Sequence, residues 1–464
     1  MNILFKNKKA HNKRAFRKIS LILAFAVVIS MFSSLYAISG SAYNFNPESE
    51  GIKLKSEAIY MENLDAEDII LDKNSDVQYA PASLTKIMTC VLVLDEFKDD
   101  VENLKKTKVS AGNEAFKELE NTYASTAGIQ PNEKLSYYDL LCALMIPSAC
   151  EAANIIAVNI GGSLDGFIEM MNAKAGALGM KNTIYYNAHG LDLNDNINIT
   201  TCRDQAILCK YAINNYPIFT EITSKYSYTL SNGTTVVNTN SLLDETSDFY
   251  YGYVDGIKTG FYDDAGRCLA SVATKYGYTY LIVSMKAPFQ DKDGNDVMYN
   301  CQDHKRLYMW AYENLDYKVF VEENEEITEA NVLYGKGADY VTLKPANEVS
   351  KIWLNSIDMS KVERKISVEK DILAPVYKGD TLGTLELVYE GETIGSVKLV
   401  ATNDVERAAI KSEIAIASKF FSSKQFKIAL VIIIFVIIIY IIIFKAITNN
   451  SKRKEEEPAE KQGE

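Results

Sequence analysis

Ser83 and Lys86 stand three positions apart in the sequence SLTK, at the start of a long apolar-periodic segment. On a helix this spacing places the serine hydroxyl and the lysine amine on one face, where they can meet. A serine hydroxyl attacks a carbonyl only when a neighbouring base removes its proton, and a desolvated lysine can do this near neutral pH. The pattern alone also fits a solvated helix surface, so it predicts a serine nucleophile only in company with other motifs.

A second motif, Lys258-Thr259-Gly260, lies far along the chain. A lysine and a threonine on a strand edge can bind a carboxylate, and glycine allows a substrate backbone to approach closely. This tripeptide also occurs by chance. An SxxK motif followed by a KTG motif, however, belongs to the signature set of penicillin-binding proteins and class A β-lactamases.

The pattern around these motifs predicts the elements that must position them. Residues 56–72 contain two short β-rich runs that predict a hairpin, and residues 253–285 contain further strand-like runs. Between them, residues 83–97, 135–158 and 164–178 carry apolar side chains at helical spacing. Helices enclosed between early and late strands indicate an α/β or α+β domain.

Longer stretches around the motifs resemble one family. They are APASLTKIMT around Ser83, LMIPS ending at Ser148, NAHGLD at 187–192 and VDGIKTG at 254–260. Over about residues 55–320 the chain resembles the low-molecular-mass penicillin-binding proteins, specifically the serine D-alanyl-D-alanine carboxypeptidases of the S11 type. The resemblance implies an α/β (α+β) catalytic domain of the β-lactamase/DD-peptidase type, with an antiparallel sheet flanked by helices.

The resemblance also implies a role for each motif residue. Ser83 attacks the D-Ala–D-Ala peptide bond at the end of a peptidoglycan stem peptide, and Lys86 accepts its proton. Lys258 and Thr259 hold the terminal carboxylate, and the oxyanion lies between the backbone N–H groups of Ser83 and Phe261. Water then hydrolyses the acyl-enzyme. The family resemblance implies β-lactams as covalent inhibitors, and no metal or organic cofactor.

The middle motif departs from the SxN pattern of the family. Ser148 matches the serine that passes a proton to the departing amine, but Cys150 stands where an asparagine amide contacts the substrate peptide. A thiol is a weak donor and acceptor, so this contact is weakened. A DD-transpeptidase, a β-lactamase using the ExxN spacing at 151–154, and a catalytically weakened wall-binding protein are the alternatives. His189 could serve as a base for Ser83 or a partner for Cys150, or be a structural loop histidine.

The N-terminal residues 1–42 predict a signal peptide. They contain seven basic residues and no acidic residue, then an apolar stretch and a small-residue exit at 40–42. A positive region, an apolar region and small residues before the cleavage site are the parts of a secretory signal. An uncleaved membrane anchor is the alternative.

The C-terminal residues predict a membrane anchor. Residues 428–444 carry no charge and lie between Lys427 and Lys445, as expected of a transmembrane helix whose lysines reach the interfaces. The tail at 445–464 begins with basic residues, so the positive-inside rule places it in the cytoplasm. We therefore expect a single-pass protein of the cell membrane, with its catalytic domain on the extracytoplasmic side.

The remaining chain divides into three expected segments. A catalytic domain occupies 43–320, a small β-rich domain with an acidic start occupies 321–410, and a juxtamembrane linker occupies 411–427.

Composition excludes two further function classes. The formal net charge of −12 opposes nucleic-acid binding, because a polyanion repels phosphates. Three histidines, and seven cysteines without a CxxC pair, give no zinc spacing, so we expect no metal site.

Overall fold

The computed structural model describes residues 51–98, 100–193 and 196–456. The predicted signal peptide at 1–42 lies outside the described residues. The chain forms two compact units. The first unit consists of the described residues up to Phe320, Ser350–Val362 and Val388–Gly395. The second unit consists of Val321–Val349, Glu363–Leu387 and the described residues from Ser396 onward.

The first unit is built on a five-stranded antiparallel sheet. The first nine strands of the described chain, in chain order, are β1 (Ala58–Asn63), β2 (Asp68–Lys73), β3 (Lys108–Val109), β4 (Leu135–Ser136), β5 (Ser227–Thr229), β6 (Thr235–Val237), β7 (Lys258–Tyr262), β8 (Gly266–Lys275) and β9 (Tyr278–Ala287). The large sheet has the strand order β2-β1-β9-β8-β7, while β3 pairs with β4 and β5 pairs with β6. This order places β7, which carries the KTG motif, at one edge of the sheet.

Eight helices accompany this sheet in the described part of the first unit. They are α1 (Thr85–Phe97), α2 (Val101–Lys106), α3 (Tyr137–Met145), α4 (Cys150–Gly161), α5 (Leu164–Leu178), α6 (Cys202–Asn215), α7 (Pro217–Thr223) and α8 (Tyr299–Asn314). Three of them begin where a hydroxyl side chain accepts a hydrogen bond from the backbone of the first turn, at Ser136, Ser163 and Thr201. Such caps satisfy backbone donors that have no partner within the helix.

The sheet is buried on both faces. Along β9, Leu281 and Val283 point into one hydrophobic cluster, which includes α1, α3 and α4, while Tyr280 and Ile282 point into a second cluster with α8. Successive side chains of a strand face opposite sides of the sheet. Because helices cover both sides here, positions 280–285 of this central strand are buried and carry mainly apolar residues. The predicted α/β (α+β) class, with an antiparallel sheet flanked by helices, is confirmed.

The chain beyond α8 contains mainly β-structure. The strands are β10 (Leu315–Val321), β11 (Thr328–Leu333), β12 (Tyr340–Pro345), β13 (Val349–Leu354), β14 (Glu363–Val368), β15 (Ile372–Leu373), β16 (Thr381–Tyr389) and β17 (Glu392–Ala401). β10 pairs with β13, and the other six form a sheet of order β14-β16-β17-β12-β11-β15. The predicted small all-β C-terminal domain is confirmed as a fold.

Two helices end the described chain, α9 (Ala409–Ser422) and α10 (Lys424–Glu456). Within α10, Lys424–Ala446 form a 23-residue stretch that is long and apolar enough to cross a membrane. Its large apolar side chains at 428–444 are 41% or more exposed in the isolated chain, so they do not pack into a protein core. This helix contains the segment that the sequence predicts to span the membrane.

His304 on α8 is fully buried against the sheet. Its Nδ1 lies 2.7 Å from Ser271 Oγ and its Nε2 lies 2.8 Å from Ser284 Oγ. Burial lowers the pKa of His304 to about 3. The imidazole therefore stays neutral in the folded protein at mildly acidic pH, where a histidine of the unfolded chain takes up a proton.

This difference predicts an acid-labile fold. Between about pH 6.5 and about pH 3 the unfolded chain binds one proton more at His304, so the free energy of unfolding falls by up to about 1.4 kcal/mol for each pH unit lost. Above about pH 6.5 this contribution is absent. His304→Gln should flatten the pH dependence in this window, measured by urea unfolding of the full chain in detergent at several pH values. Parallel curves for the variant and the wild type would contradict the prediction.

Candidate active site

Ser83 and Lys86 meet as their spacing predicts. Ser83 lies in a 3-10 turn, Ala82–Leu84, which leads directly into α1, and Lys86 lies in the first turn of α1. Lys86 Nζ is 3.0 Å from Ser83 Oγ and 2.8 Å from the carbonyl oxygen of His189. The three-residue spacing thus brings the Lys86 amine to the Ser83 hydroxyl, and the distant His189 carbonyl keeps it there.

The environment of Lys86 favours its neutral form. The side chain is completely buried. Burial lowers the pKa of Lys86 from its ordinary value of 10.5, while Cys150 and Glu151 oppose this shift. A neutral amine in contact with a serine hydroxyl can act as its general base.

A loop formed by residues 187–191 closes the inner side of this pair. Thr89 Oγ1 on α1 donates to the Ala188 carbonyl over 2.6 Å. Gly190 has a φ of +89°, and a Cβ at that position would lie 1.9 Å from the Ala82 carbonyl oxygen. Glycine is therefore required for the loop to pack beside the turn that carries Ser83.

The ring of His189 stabilises the loop, and its backbone carbonyl accepts the hydrogen bond from Lys86. Nε2 lies 3.0 Å from Glu118 Oε1, and Nδ1 accepts the N–H of Leu191 over 3.1 Å. Burial lowers the pKa of His189 despite the opposing effect of Glu118. Both ring nitrogens are engaged away from Ser83 and Cys150, which supports the structural role over the role as a base. The sequence analysis missed the carbonyl of His189, because a backbone group leaves no side-chain signal.

The middle motif lies in the connection between α3 and α4. Ser148 adopts a left-handed conformation with φ +70°, and its Oγ is buried without a hydrogen-bond partner. Cys150 begins α4, its N–H donates to the Ser125 carbonyl, and its Sγ lies 3.4 Å from Lys86 Nζ. The thiol at the position of the family asparagine is therefore in contact with the lysine amine.

The KTG strand presents its residues to two sides. Thr259 and Phe261 share one face of β7, and Lys258 and Gly260 share the other, since side chains alternate along a strand. A Cβ on Gly260 would lie 2.7 Å from the Pro81 carbonyl and 3.1 Å from the backbone nitrogen of Ser83. The absence of a side chain thus lets β7 run close beside the nucleophile turn.

Lys258 lies deeper than the sequence indicates. Its side chain is 1% exposed and its Nζ has no hydrogen-bond partner. Burial lowers the pKa of Lys258 well below its ordinary value, and the nearby charge of Lys86 lowers it further. The carboxylate-binding role that the family resemblance implies for Lys258 stays a prediction.

A cavity of about 830 Å³ opens over these elements. It is lined by five of the predicted site residues, Ser83, Ser148, Thr259, Gly260 and Phe261, and also by Thr239 and Arg267. The other three predicted residues, Lys86, Cys150 and Lys258, are buried behind this lining. Thr259 Oγ1 and Thr239 Oγ1 lie 2.5 Å apart at the rim.

The cysteines and acidic residues form no metal centre in the described ranges. All seven cysteines are buried and free. No three His, Cys, Asp or Glu side chains converge in the part of the chain that the structure describes.

Comparison with known proteins gives two family matches. The model of the D-alanyl-D-alanine carboxypeptidase family, peptidase S11, matches residues 45–288. The model of the C-terminal domain of penicillin-binding protein 5 matches residues 316–407. Together these matches include the five-stranded sheet and the all-β region.

Individual relatives align over most of their length. The chain is 28% identical over 349 residues to D-alanyl-D-alanine carboxypeptidase DacF of Bacillus subtilis, covering 73% of this chain and 83% of the relative. Penicillin binding protein 5 from Haemophilus influenzae matches with a TM-score of 0.58 and 27% identity, over 76% of this chain and 98% of that chain. The carboxypeptidase DacD from Francisella tularensis shares the fold, with a TM-score of 0.63 at 24% identity over 77% of this chain and 95% of that chain.

The contact between Cys150 and Lys86 predicts a pH effect. If Lys86 acts as a base, the rate of Ser83 acylation by a penicillin rises with pH as Lys86 loses its proton and then reaches a plateau. Cys150 raises the pKa of Lys86. Cys150→Ala should therefore move the acidic limb of the rate profile to lower pH.

Stopped-flow acylation with a fluorescent penicillin over a range of pH measures this shift. Cys209→Ala is the matched control, because Cys209 is equally buried on α6 and does not contact Lys86. A limb that stays in place or moves to higher pH in Cys150→Ala would show that the thiol does not tune the base.

Proposed function

Because the chain belongs to the D-alanyl-D-alanine carboxypeptidase family, peptidase S11, we propose that it removes the terminal D-Ala from peptidoglycan stem peptides through an acyl-enzyme on Ser83. It is an enzyme, a serine-type D-Ala–D-Ala carboxypeptidase. The family resemblance predicted from the SxxK and KTG motifs is confirmed.

The contact between Lys86 and Ser83 carries the proposal. The two polar atoms are 3.0 Å apart, and burial lowers the pKa of the amine. Lys86 takes the hydroxyl proton as Ser83 Oγ bonds to the carbonyl carbon of the D-Ala–D-Ala peptide bond. The backbone N–H groups of Ser83 and Phe261 stabilise the negative oxygen that forms.

Ser148 then delivers a proton to the departing D-Ala amine. Its Oγ has no other hydrogen-bond partner and its side chain lines the cavity beside Ser83, which supports this role. Thr259 and Gly260 contact the substrate from β7, and Lys258 extends from the same strand toward the buried amine of Lys86. Water attacks the acyl-enzyme and frees Ser83.

Hydrolysis of β-lactams as the main activity has little support. A β-lactamase needs a carboxylate that activates water next to the acyl-enzyme. Glu151, the acidic residue of the ExxN spacing, accepts N–H groups of Ala127 and Ile129 at 2.7 and 3.4 Å and is 2% exposed. These contacts give it a structural role at the start of α4.

The proposed arrangement in the cell is a catalytic unit outside the cytoplasm. It rests on the apolar stretch Lys424–Ala446 and on the basic residues that follow it. Stem peptides are found on that side of the membrane, and this location brings the substrate to the cavity.

A labelling experiment tests the nucleophile. The wild type should form a covalent adduct with a fluorescent penicillin, and peptide mass spectrometry should locate it on Ser83. Ser83→Ala should abolish both the adduct and the release of D-Ala from a D-Ala–D-Ala peptide, because it removes the attacking oxygen.

Ser231→Ala serves as the matched control, since Ser231 is exposed in the turn between β5 and β6. An adduct on another residue, or normal labelling of Ser83→Ala, would overturn the assignment. Rapid turnover of nitrocefin instead of stable acylation would favour a β-lactamase.

The middle motif gives a second prediction for the same reaction. Cys150→Asn introduces the amide that the family uses, and one added hydrogen bond contributes about 0.5–1.5 kcal/mol. Acylation on the pH plateau should become about two- to twelve-fold faster. The measurement compares wild type and variant with one penicillin. A tenfold slower variant would indicate a pocket adapted to sulfur, in which the larger amide is overpacked.

A further inference from the structure

The base of the proposed reaction must be oriented as well as deprotonated. A neutral amine has a lone pair beside its N–H groups, and only the lone pair can take the proton of Ser83. Lys86 Nζ lies 3.0 Å from Ser83 Oγ. The His189 carbonyl oxygen and Cys150 Sγ lie 2.8 and 3.4 Å from the same nitrogen. When the carbonyl and the sulfur accept the N–H groups, the lone pair is directed to the serine.

The ring of His189 stabilises that carbonyl, and its hydrogen bonds define one tautomer. Nδ1 accepts the N–H of Leu191 over 3.1 Å, so Nδ1 carries no hydrogen. The hydrogen of the neutral ring is then on Nε2, which lies 3.0 Å from Glu118 Oε1. Burial lowers the pKa of His189, which keeps the ring neutral. The imidazole thus donates to Glu118 and accepts from Leu191, and a rotated ring would lose both contacts.

Glu118 is itself held in a polar network. It belongs to the 3-10 turn Lys117–Leu119, and its side chain is 33% exposed. Asn154 on α4 donates from Nδ2 to Glu118 Oε1 over 2.8 Å and to the Ala115 carbonyl over 3.0 Å. Although burial opposes its ionisation, the hydrogen bonds from His189 and Asn154 lower the pKa of Glu118. An ionised carboxylate only accepts, so it favours the ring form with hydrogen on Nε2.

This network connects the base to α4 for a second time. Cys150, the first residue of α4, contacts Lys86 directly, and Asn154 lies one turn further along the same face of the helix. From Asn154 the hydrogen bonds continue through Glu118 to the ring of His189, whose carbonyl contacts Lys86. Both acceptors of the amine are therefore connected to one helix.

We infer that Glu118 is a positioning residue of the reaction, whose carboxylate keeps the His189 ring in one tautomer and orientation and thereby keeps the His189 carbonyl on the Lys86 amine. This inference rests on the proposed function, and it adds what directs the lone pair of the base to Ser83. Loss of the acceptor releases the ring, and the amine then presents its lone pair to Ser83 in a smaller fraction of molecules.

Acylation of Ser83 by a fluorescent penicillin measures this role when the limiting rate is separated from the affinity of the first complex. Glu118→Ala should lower the limiting rate by about tenfold, the loss expected for one hydrogen bond to a charged group, and should leave the affinity within about twofold. Glu118→Gln should stay within about threefold of the wild-type rate, because its amide oxygen still accepts the hydrogen on Nε2 of His189.

Glu120→Ala is the matched control, since Glu120 is an exposed glutamate two positions further along the same loop. Equal losses in Glu118→Ala and Glu118→Gln would show that the acceptor for His189 is not what matters. A loss confined to the affinity would show that the loop shapes the cavity instead, and an unchanged limiting rate would remove Glu118 from the positioning of the base. Each of these results would overturn the inference.

Nitrogen NMR of the histidine rings tests the tautomer without any turnover. The sequence contains three histidines, so the isotope-labelled full chain in detergent gives few signals, and His304→Gln identifies the signal from α8. The Nε2–H form of His189 should dominate in the wild type and in Glu118→Gln, and the Nδ1–H form should join it in Glu118→Ala. If the wild type released no D-Ala, the proposed function would fail while this spectrum would still decide the role of Glu118. The same single tautomer in all three proteins would refute it.

Discussion

The structure depends on keeping the amine of Lys86 out of water beside a serine hydroxyl. Desolvation of an ammonium is costly, so the surroundings must favour the neutral amine and give it acceptors. The carbonyl of His189 provides one acceptor at 2.8 Å, and this requires the loop at 187–191 to lie against the nucleophile turn. Gly190 permits that contact on one side, and Gly260 permits the approach of β7 on the other. The backbone geometry of three separate segments thus follows from one buried amine.

A second lysine behind the same strand extends this constraint. Two ammonium groups cannot both be charged at low cost in a dry site, and the pKa of Lys258 is lowered well below its ordinary value. Successive side chains of β7 point to opposite sides of the strand. Lys258 therefore faces the buried amine of Lys86, whereas Thr259 faces the cavity. On the neighbouring strand β8, Arg267 pairs with Phe261 and lines the cavity.

The sequence predicts those features of the structure that depend on the spacing of residues close together in the chain. The three-residue spacing of Ser83 and Lys86 fixes their meeting on a helix, and the strand and helix patterns give the α/β (α+β) class. The sequence does not reveal two groups that contact Lys86, the Cys150 thiol and the His189 carbonyl, because they lie 64 and 103 positions away along the chain. The burial of Lys258 and the exposure of Arg267 to the cavity depend on strand register and edge position. Those are tertiary properties that a tripeptide motif cannot encode.

Cys150 illustrates how a change in a motif acts through what the residue contacts. The family resemblance predicts that this position faces the substrate, whereas Sγ lies 3.4 Å from Lys86 Nζ and behind the cavity lining. A thiol is shorter and less polar than an amide, so it gives less to a substrate peptide while remaining close to the amine. Burial lowers the pKa of Lys86, and Cys150 opposes that shift. We therefore expect a cysteine at this position to affect two properties together, the hydrogen bonding of the substrate and the proton affinity of Lys86.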